Sequence, residues 1–132
     1  MPAYNFQTRF ADLVQSGKKR QTIRQANRGA YPGATAYLFT GQRTKQCRKL
    51  GEGRVTGVWP IEIGRHACGE PYASILYSKL EYKNIVPSSH LVHSDLDKLA
   101  KEDGFTTGEE MVTWFEARYG LPFSGFLHQW EL

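Results

Sequence analysis

Long hydrophobic runs are missing from this chain: no apolar stretch of its 132 residues approaches the roughly 20 needed to cross a bilayer as a helix. The opening Met1-Pro2-Ala3-Tyr4-Asn5-Phe6 carries neither a charged leader region nor an apolar core, so no secretion signal is expected and a cytoplasmic location is. Cysteine is scarce. Cys47 and Cys68 are too few for a disulfide framework. With His66, His90 and His93 they show none of the paired spacing of a structural zinc site, so no metal and no cofactor are expected. There is no glycine-rich phosphate loop, no His-Glu-x-x-His and no nucleophile elbow. Repeats, low-complexity tracts and linkers are also missing, which leaves a single domain over residues 1–132.

Acidic residues are nearly absent from one third of the chain. Residues 17–54 hold ten Lys and Arg against Glu52 alone, a charge of +9. The rest carries seven bases against twelve acids, or −5, for a net charge of +4. Clustered cations gain free energy by displacing counterions from phosphates, so this segregation points to RNA or a nucleotide as partner. A solvated basic face is the ordinary alternative.

Phe6, Phe10, Leu13 and Val14 share one helical face, which predicts a helix at about 7–16. Gly17 suits the left-handed position past its end. Gln21 to Arg24 reads as a strand, and Asn27 to Gly33 as a loop closed by Pro32-Gly33. A strand is expected at 34–40, a long basic loop at 41–53, and a strand at 54–63 with a bulge or edge at Gly57 and Pro60. After a glycine-rich connection at 64–71, further strands are expected near 73–77, 80–86 and 91–93. Two helices follow, opened by capping boxes at Ser94/Asp97 and Thr107/Glu110, and Phe123 to Leu132 alternates as a closing strand. This order makes the fold α+β, with a mixed or antiparallel sheet curled into a small barrel.

The eight residues Gly17-Lys18-Lys19-Arg20-Gln21-Thr22-Ile23-Arg24 are the strongest candidate for chemistry. On a strand, Thr22 and Arg24 share a face roughly 6.6 Å apart, and Lys19 joins them only from a turn before the strand. A threonine hydroxyl attacks once a base takes its proton, and a neutral lysine is such a base. Moving a lysine from about 10.4 to near 7.5 needs roughly 4 kcal/mol. The neighbouring cations Lys18, Arg20 and Arg24 push that way. Arg24 suits a carbonyl oxygen or a phosphate. Each residue also has a plain reading: Lys19 as a solvated turn lysine and Thr22 as a strand former. Tyr31, Tyr37, Trp59, Tyr72 and Tyr77 flank the basic segment as stacking surfaces or as core, while Phe105, Phe115, Phe126 and Trp130 read as core.

Lys19-x-x-Thr22-x-Arg24 after an amphipathic helix ending in glycine, the Asp103-Gly104-Phe105 turn and the closing aromatic strand together resemble ASCH domains, relatives of the PUA-like RNA-binding fold. The likeness runs from Phe6 to Trp130. It implies a PUA-like β-barrel flanked by helices, with a basic cleft for RNA or a nucleoside. Some small bacterial members hydrolyse N4-acetylcytidine to cytidine and acetate, with threonine as nucleophile, lysine activating it and a glutamate assisting. Lys19, Thr22 and Arg24 match those motif positions. The glutamate's place aligns with Asp103, one methylene shorter, and the 41–53 loop is an addition relative to the shortest enzymes. The expected catalytic set is therefore Lys19, Thr22 and Asp103, with Arg24, Arg20 and Tyr37 binding substrate. Arg43, Lys45, Arg48, Lys49 and Arg54 would serve a nucleic-acid backbone. The alternatives are a non-catalytic RNA-binding module and a metal-independent ribonuclease, whose clustered cations would stabilise an in-line phosphorane.

Overall fold

A computed structural model describes residues 3–27, 29–75, 89–91 and 93–132. The chain is α+β: among the described residues seven strands form one mixed sheet, and three helices pack on it. The strands are β1 (Ala3–Phe6), β2 (Gln21–Arg24), β3 (Thr35–Thr40), β4 (Arg48–Arg65), β5 (Pro71–Ile75), β6 (Ser89–Leu91) and β7 (Phe123–Glu131). The helices are α1 (Thr8–Gln15), α2 (His93–Glu102) and α3 (Gly108–Tyr119). No described helix is long and apolar enough to cross a membrane.

β4 is the spine. Its 18 residues carry β3 and then β5 along one edge, while β7 runs along the other. Arg54 shows the arrangement, pairing with Thr35 on one side and Glu131 on the other. β1 adds to β3 in parallel, and β2 adds to β7 antiparallel. The sheet therefore curls so that β1 and β2 approach each other, but they form no ladder among the described residues.

Three sequence expectations are corrected here. Phe6 belongs to β1 rather than to the first helix; Tyr4 and Phe6 alternate inward, and Phe6 only coincidentally stands four residues before Phe10. Arg48 to Gly53 is strand, not loop: it pairs with β3 through a bulge that absorbs Leu50, and only residues 41–47 remain irregular. His93 opens α2 instead of ending a strand, which places Ser94 inside the helix. Asp97 Oδ1 instead accepts from the Gly108 N–H at 2.7 Å, capping the next helix. The strand expected at 80–86 lies outside the described residues, as does Tyr77.

Other expectations hold. Thr107 caps α3, accepting from the Glu110 N–H at 3.1 Å. β4 bulges between Val55 and Gly57. Pro60 sits where β4 has lost β3 and not yet met β5, an edge that tolerates a missing N–H. Tyr4, Leu38, Ile63, Met111, Phe115 and Leu127 lie at the centre of the core, each worth roughly 1.5–3 kcal/mol of apolar burial where the side chain is wholly apolar.

Candidate functional site

Gly17 follows the end of α1 just past its cap at Ser16, and its φ of 81° is open to glycine and strained for other residues. The chain then folds back on the helix: Gly17 N–H donates to Val14 O at 3.1 Å and Lys19 N–H to Leu13 O at 2.9 Å. This return places Lys19 in the turn before β2 and turns its side chain inward, where it is 2% exposed.

Asp103 arrives from the opposite direction. α2 closes with Gly104 N–H donating to Lys101 O at 3.1 Å and Phe105 N–H to Ala100 O at 2.8 Å. Gly104 has φ 97°, and a Cβ there would stand 2.7 Å from Phe10 Cδ1, so the turn is held by backbone conformation and close packing together. Asp103 is 5% exposed.

The two buried residues meet twice. Lys19 Nζ donates to the Asp103 backbone oxygen at 2.6 Å and lies 3.2 Å from its Oδ1. That carbonyl stands at the negative end of α2, which favours a cation. Gln21 Nε2 completes the cluster, 3.4 Å from both Leu99 O and Asp103 Oδ1. Burial draws the Lys19 ammonium below its ordinary pKa and outweighs the raising influence of Asp103; Arg24 lowers it further. Burial likewise pushes the Asp103 carboxyl above its ordinary range against the opposing pull of Lys19, Gln21 and Arg24. On each partner burial opposes the charged form, while the other partner favours it.

Thr22 and Arg24 share the other part of the site. Arg24 Nε donates to Thr22 Oγ1 at 3.0 Å, and Nη2 donates to Asn5 O at 2.9 Å. The guanidinium thus bridges the β1–β2 seam, with its carbon 5.2 Å from the Phe6 ring centre and 5.8 Å from that of Tyr4. Thr22 Oγ1 accepts from Arg24, so its own proton remains available to a base. Across the ladder from Thr22 stands His128, fully buried, its Nδ1 2.7 Å from Tyr4 Oη and its Nε2 3.1 Å from Ala26 O. A carbonyl only accepts, so Nε2 carries the proton.

These residues open on one cavity of about 270 Å³ at the seam, lined by Lys19, Thr22, Arg24 and Asp103 with aromatic walls from Phe6, Phe105 and Trp114. Its size lies just under the roughly 300–1,000 Å³ of drug-sized sites, which suits one small organic molecule. A wider groove of about 420 Å³ over Pro60 and Phe126 contains none of the buried titratable side chains.

Not every expected residue comes to the cavity. Arg20 is exposed, donates from Nε to Gly17 O at 2.8 Å, and borders a separate cavity of about 350 Å³ with Lys18 and Glu102. Tyr37 lies on β3 with Lys49 Nζ 5.7 Å from its ring centre, away from the cavity lining. Lys49 pairs with Glu52, and Arg48 donates to Gln15 Oε1 at 2.7 Å. Arg43 and Lys45, in the 41–47 loop, and Arg54, within β4, are exposed. Cys47 and Cys68 are exposed and free. Among the described residues no three His, Cys, Asp or Glu gather as metal ligands.

Gln21, Asn5 and the α3 residues Trp114, Arg118 and Tyr119 were not singled out from the sequence as site residues. Gln21 is an uncharged donor inside the basic stretch, and no spacing in the sequence distinguishes it from a plain strand residue. Nothing local marks the others. No family model, no curated protein and no solved structure matches this chain.

Proposed function

We propose that this protein hydrolyses the exocyclic amide of an N4-acylated cytosine nucleoside, as a member of the ASCH group with a PUA-like fold. The reading is carried by one observation: a buried lysine paired with a buried carboxyl borders the same cavity as a threonine hydroxyl held by an arginine. Thr22 Oγ attacks the acyl carbon, and its proton passes to the neutral amine of Lys19. The tetrahedral oxyanion collapses, the C–N bond breaks, and the Lys19 ammonium returns that proton to the departing cytosine nitrogen. Water then attacks the acyl-Thr22 ester, giving its proton to Lys19, and the carboxylic acid leaves as Thr22 recovers a hydroxyl. Asp103 holds Lys19 in place, and burial, which lowers the Lys19 pKa, favours the free amine that the base role needs.

The test is acetate release from N4-acetylcytidine by the purified protein. Turnover in the wild type, lost in Thr22→Ala and in Lys19→Ala, supports the reading; a wild type inactive on N4-acetylcytidine and on its phosphate esters alike removes it.

A second reading, a non-catalytic RNA-binding surface, rests on Arg43 and Lys45, which are exposed and have no carboxylate partner among the described residues. It would leave the Lys19 cavity as a base-recognition pocket. A ribonuclease has no comparable support, because the buried lysine pairs with Asp103 rather than facing a phosphate groove.

A further inference from the structure

The outer wall of the cavity is α3, and one of its contributions is charged. Arg118 borders the cavity with Trp114 and Tyr119, four residues and one residue away on the helix. Its guanidinium carbon lies 5.3 Å from the Trp114 ring centre and 5.8 Å from that of Tyr119. Two aromatic faces thus steady the cation without neutralising it. Among the described residues no carboxylate pairs with Arg118. Other surface arginines nearby are matched: Arg9 bonds Glu110 at 3.2 Å, and Arg65 bonds Glu109 at 2.8 Å and Glu116 at 3.4 Å. The acids of α3 are thereby engaged elsewhere, and Arg118 keeps its charge beside the cavity.

A cytosine nucleoside whose amide lies at Lys19 and Thr22 must direct its sugar away from that end. A stacked guanidinium keeps its N–H edge open, and that edge matches the paired oxygens of a phosphate. We propose that the ligand of this cavity carries a phosphate ester, received by Arg118, so that the substrate class is an N4-acylated cytosine nucleotide rather than the bare nucleoside. The inference rests on the amidase reading above and adds a specificity residue to it. A free mononucleotide and a nucleotide within RNA share this chemistry, and the experiment separates them.

The measurement compares kcat/KM for N4-acetylcytidine, its 5′-monophosphate and a trinucleotide bearing the same base in the middle, in wild type, Arg118→Gln and Arg118→Lys. The expected result is a preference of about tenfold or more for a phosphorylated substrate in the wild type. That ratio falls toward one in Arg118→Gln and is partly kept in Arg118→Lys. Each ratio is internal to one protein preparation, so partial unfolding of a variant cancels. A stronger monophosphate response assigns the free nucleotide; a stronger trinucleotide response assigns RNA. A wild-type ratio of one with the nucleoside still hydrolysed overturns the inference and leaves the amidase reading standing, as does a preference unchanged in Arg118→Gln. If none of the three substrates is hydrolysed, the amidase reading falls and takes the inference with it.

Discussion

Lys19 Nζ contacts Asp103 through both the backbone oxygen, at 2.6 Å, and the carboxylate, at 3.2 Å, although the two residues are 84 positions apart. The pair joins the turn after α1 to the end of α2, and it places a titratable amine at the wall of the cavity. The first two predictions below follow from the way burial opposes the charge on each partner.

Removing the Asp103 carboxylate deletes both influences that raise the Lys19 pKa and leaves the two that lower it, burial and Arg24. A base acts when deprotonated, so activity rises as pH passes the Lys19 pKa. In Asp103→Asn the midpoint of that rise therefore moves to lower pH. The pH profile of kcat/KM for N4-acetylcytidine checks this, and a midpoint that stays or moves upward contradicts Lys19 as the base.

Breaking the pair on one side strands a buried group. Lys19→Met alone is expected to cost about 3–5 kcal/mol, and Lys19→Met with Asp103→Leu far less than the two single changes summed. The pH dependence has a definite sign. Asp103 has a raised folded pKa, so stability from this group falls as pH climbs from 3.8 to that value. Lys19 has a lowered folded pKa, so stability recovers between that value and 10.5. Urea denaturation across pH should show both slopes in the wild type and neither in the double variant.

Arg24 aligns Thr22 through Nε and the seam through Nη2. Arg24→Lys keeps the charge but loses this fork, and kcat should fall about a hundredfold as Thr22 loses its alignment. Thr22→Ser should retain turnover. If Arg24→Lys lowers the melting temperature while folded protein keeps the wild-type kcat, Arg24 is only a structural bridge.

Gly104→Ala sets a side chain into a left-handed backbone, costing about 1–2 kcal/mol, and adds a clash with Phe10. The α2 end must shift, and Asp103 shifts with it. Thermal melts should show the loss, and amide-hydrogen exchange should rise at Phe105, whose N–H closes the turn on Ala100.

The surface-binding reading makes a separate prediction. Arg43→Ala and Lys45→Ala should each reduce the slope of log affinity for RNA against log salt by about 0.7–0.9, with little effect on acetate release. Arg48 and Lys49, engaged by Gln15 and Glu52, should have smaller effects. No RNA binding at low salt would reduce the basic loop to a solvated surface.

Local pattern alone determined a good part of this protein. Lys19, Thr22 and Arg24 were legible because a glycine stop, a turn and a four-residue strand arrange them within the same short stretch, where spacing and backbone geometry suffice. The cap of α3, the bulge at Gly57 and the α+β class were readable for the same reason. β1 was not, because a four-residue strand gains its stability from a parallel partner more than thirty residues on, and its Phe6 imitates a helical face. What only the tertiary structure decided is the state of the opening stretch. Burial is a property of the packed molecule, so the sequence could not say that Lys19 is desolvated, that Gln21 shares its acid, or that Arg20 turns away. Nor could it bring Arg118 to the cavity, since that placement depends on how α3 packs against β4, β5 and β7 in the folded molecule.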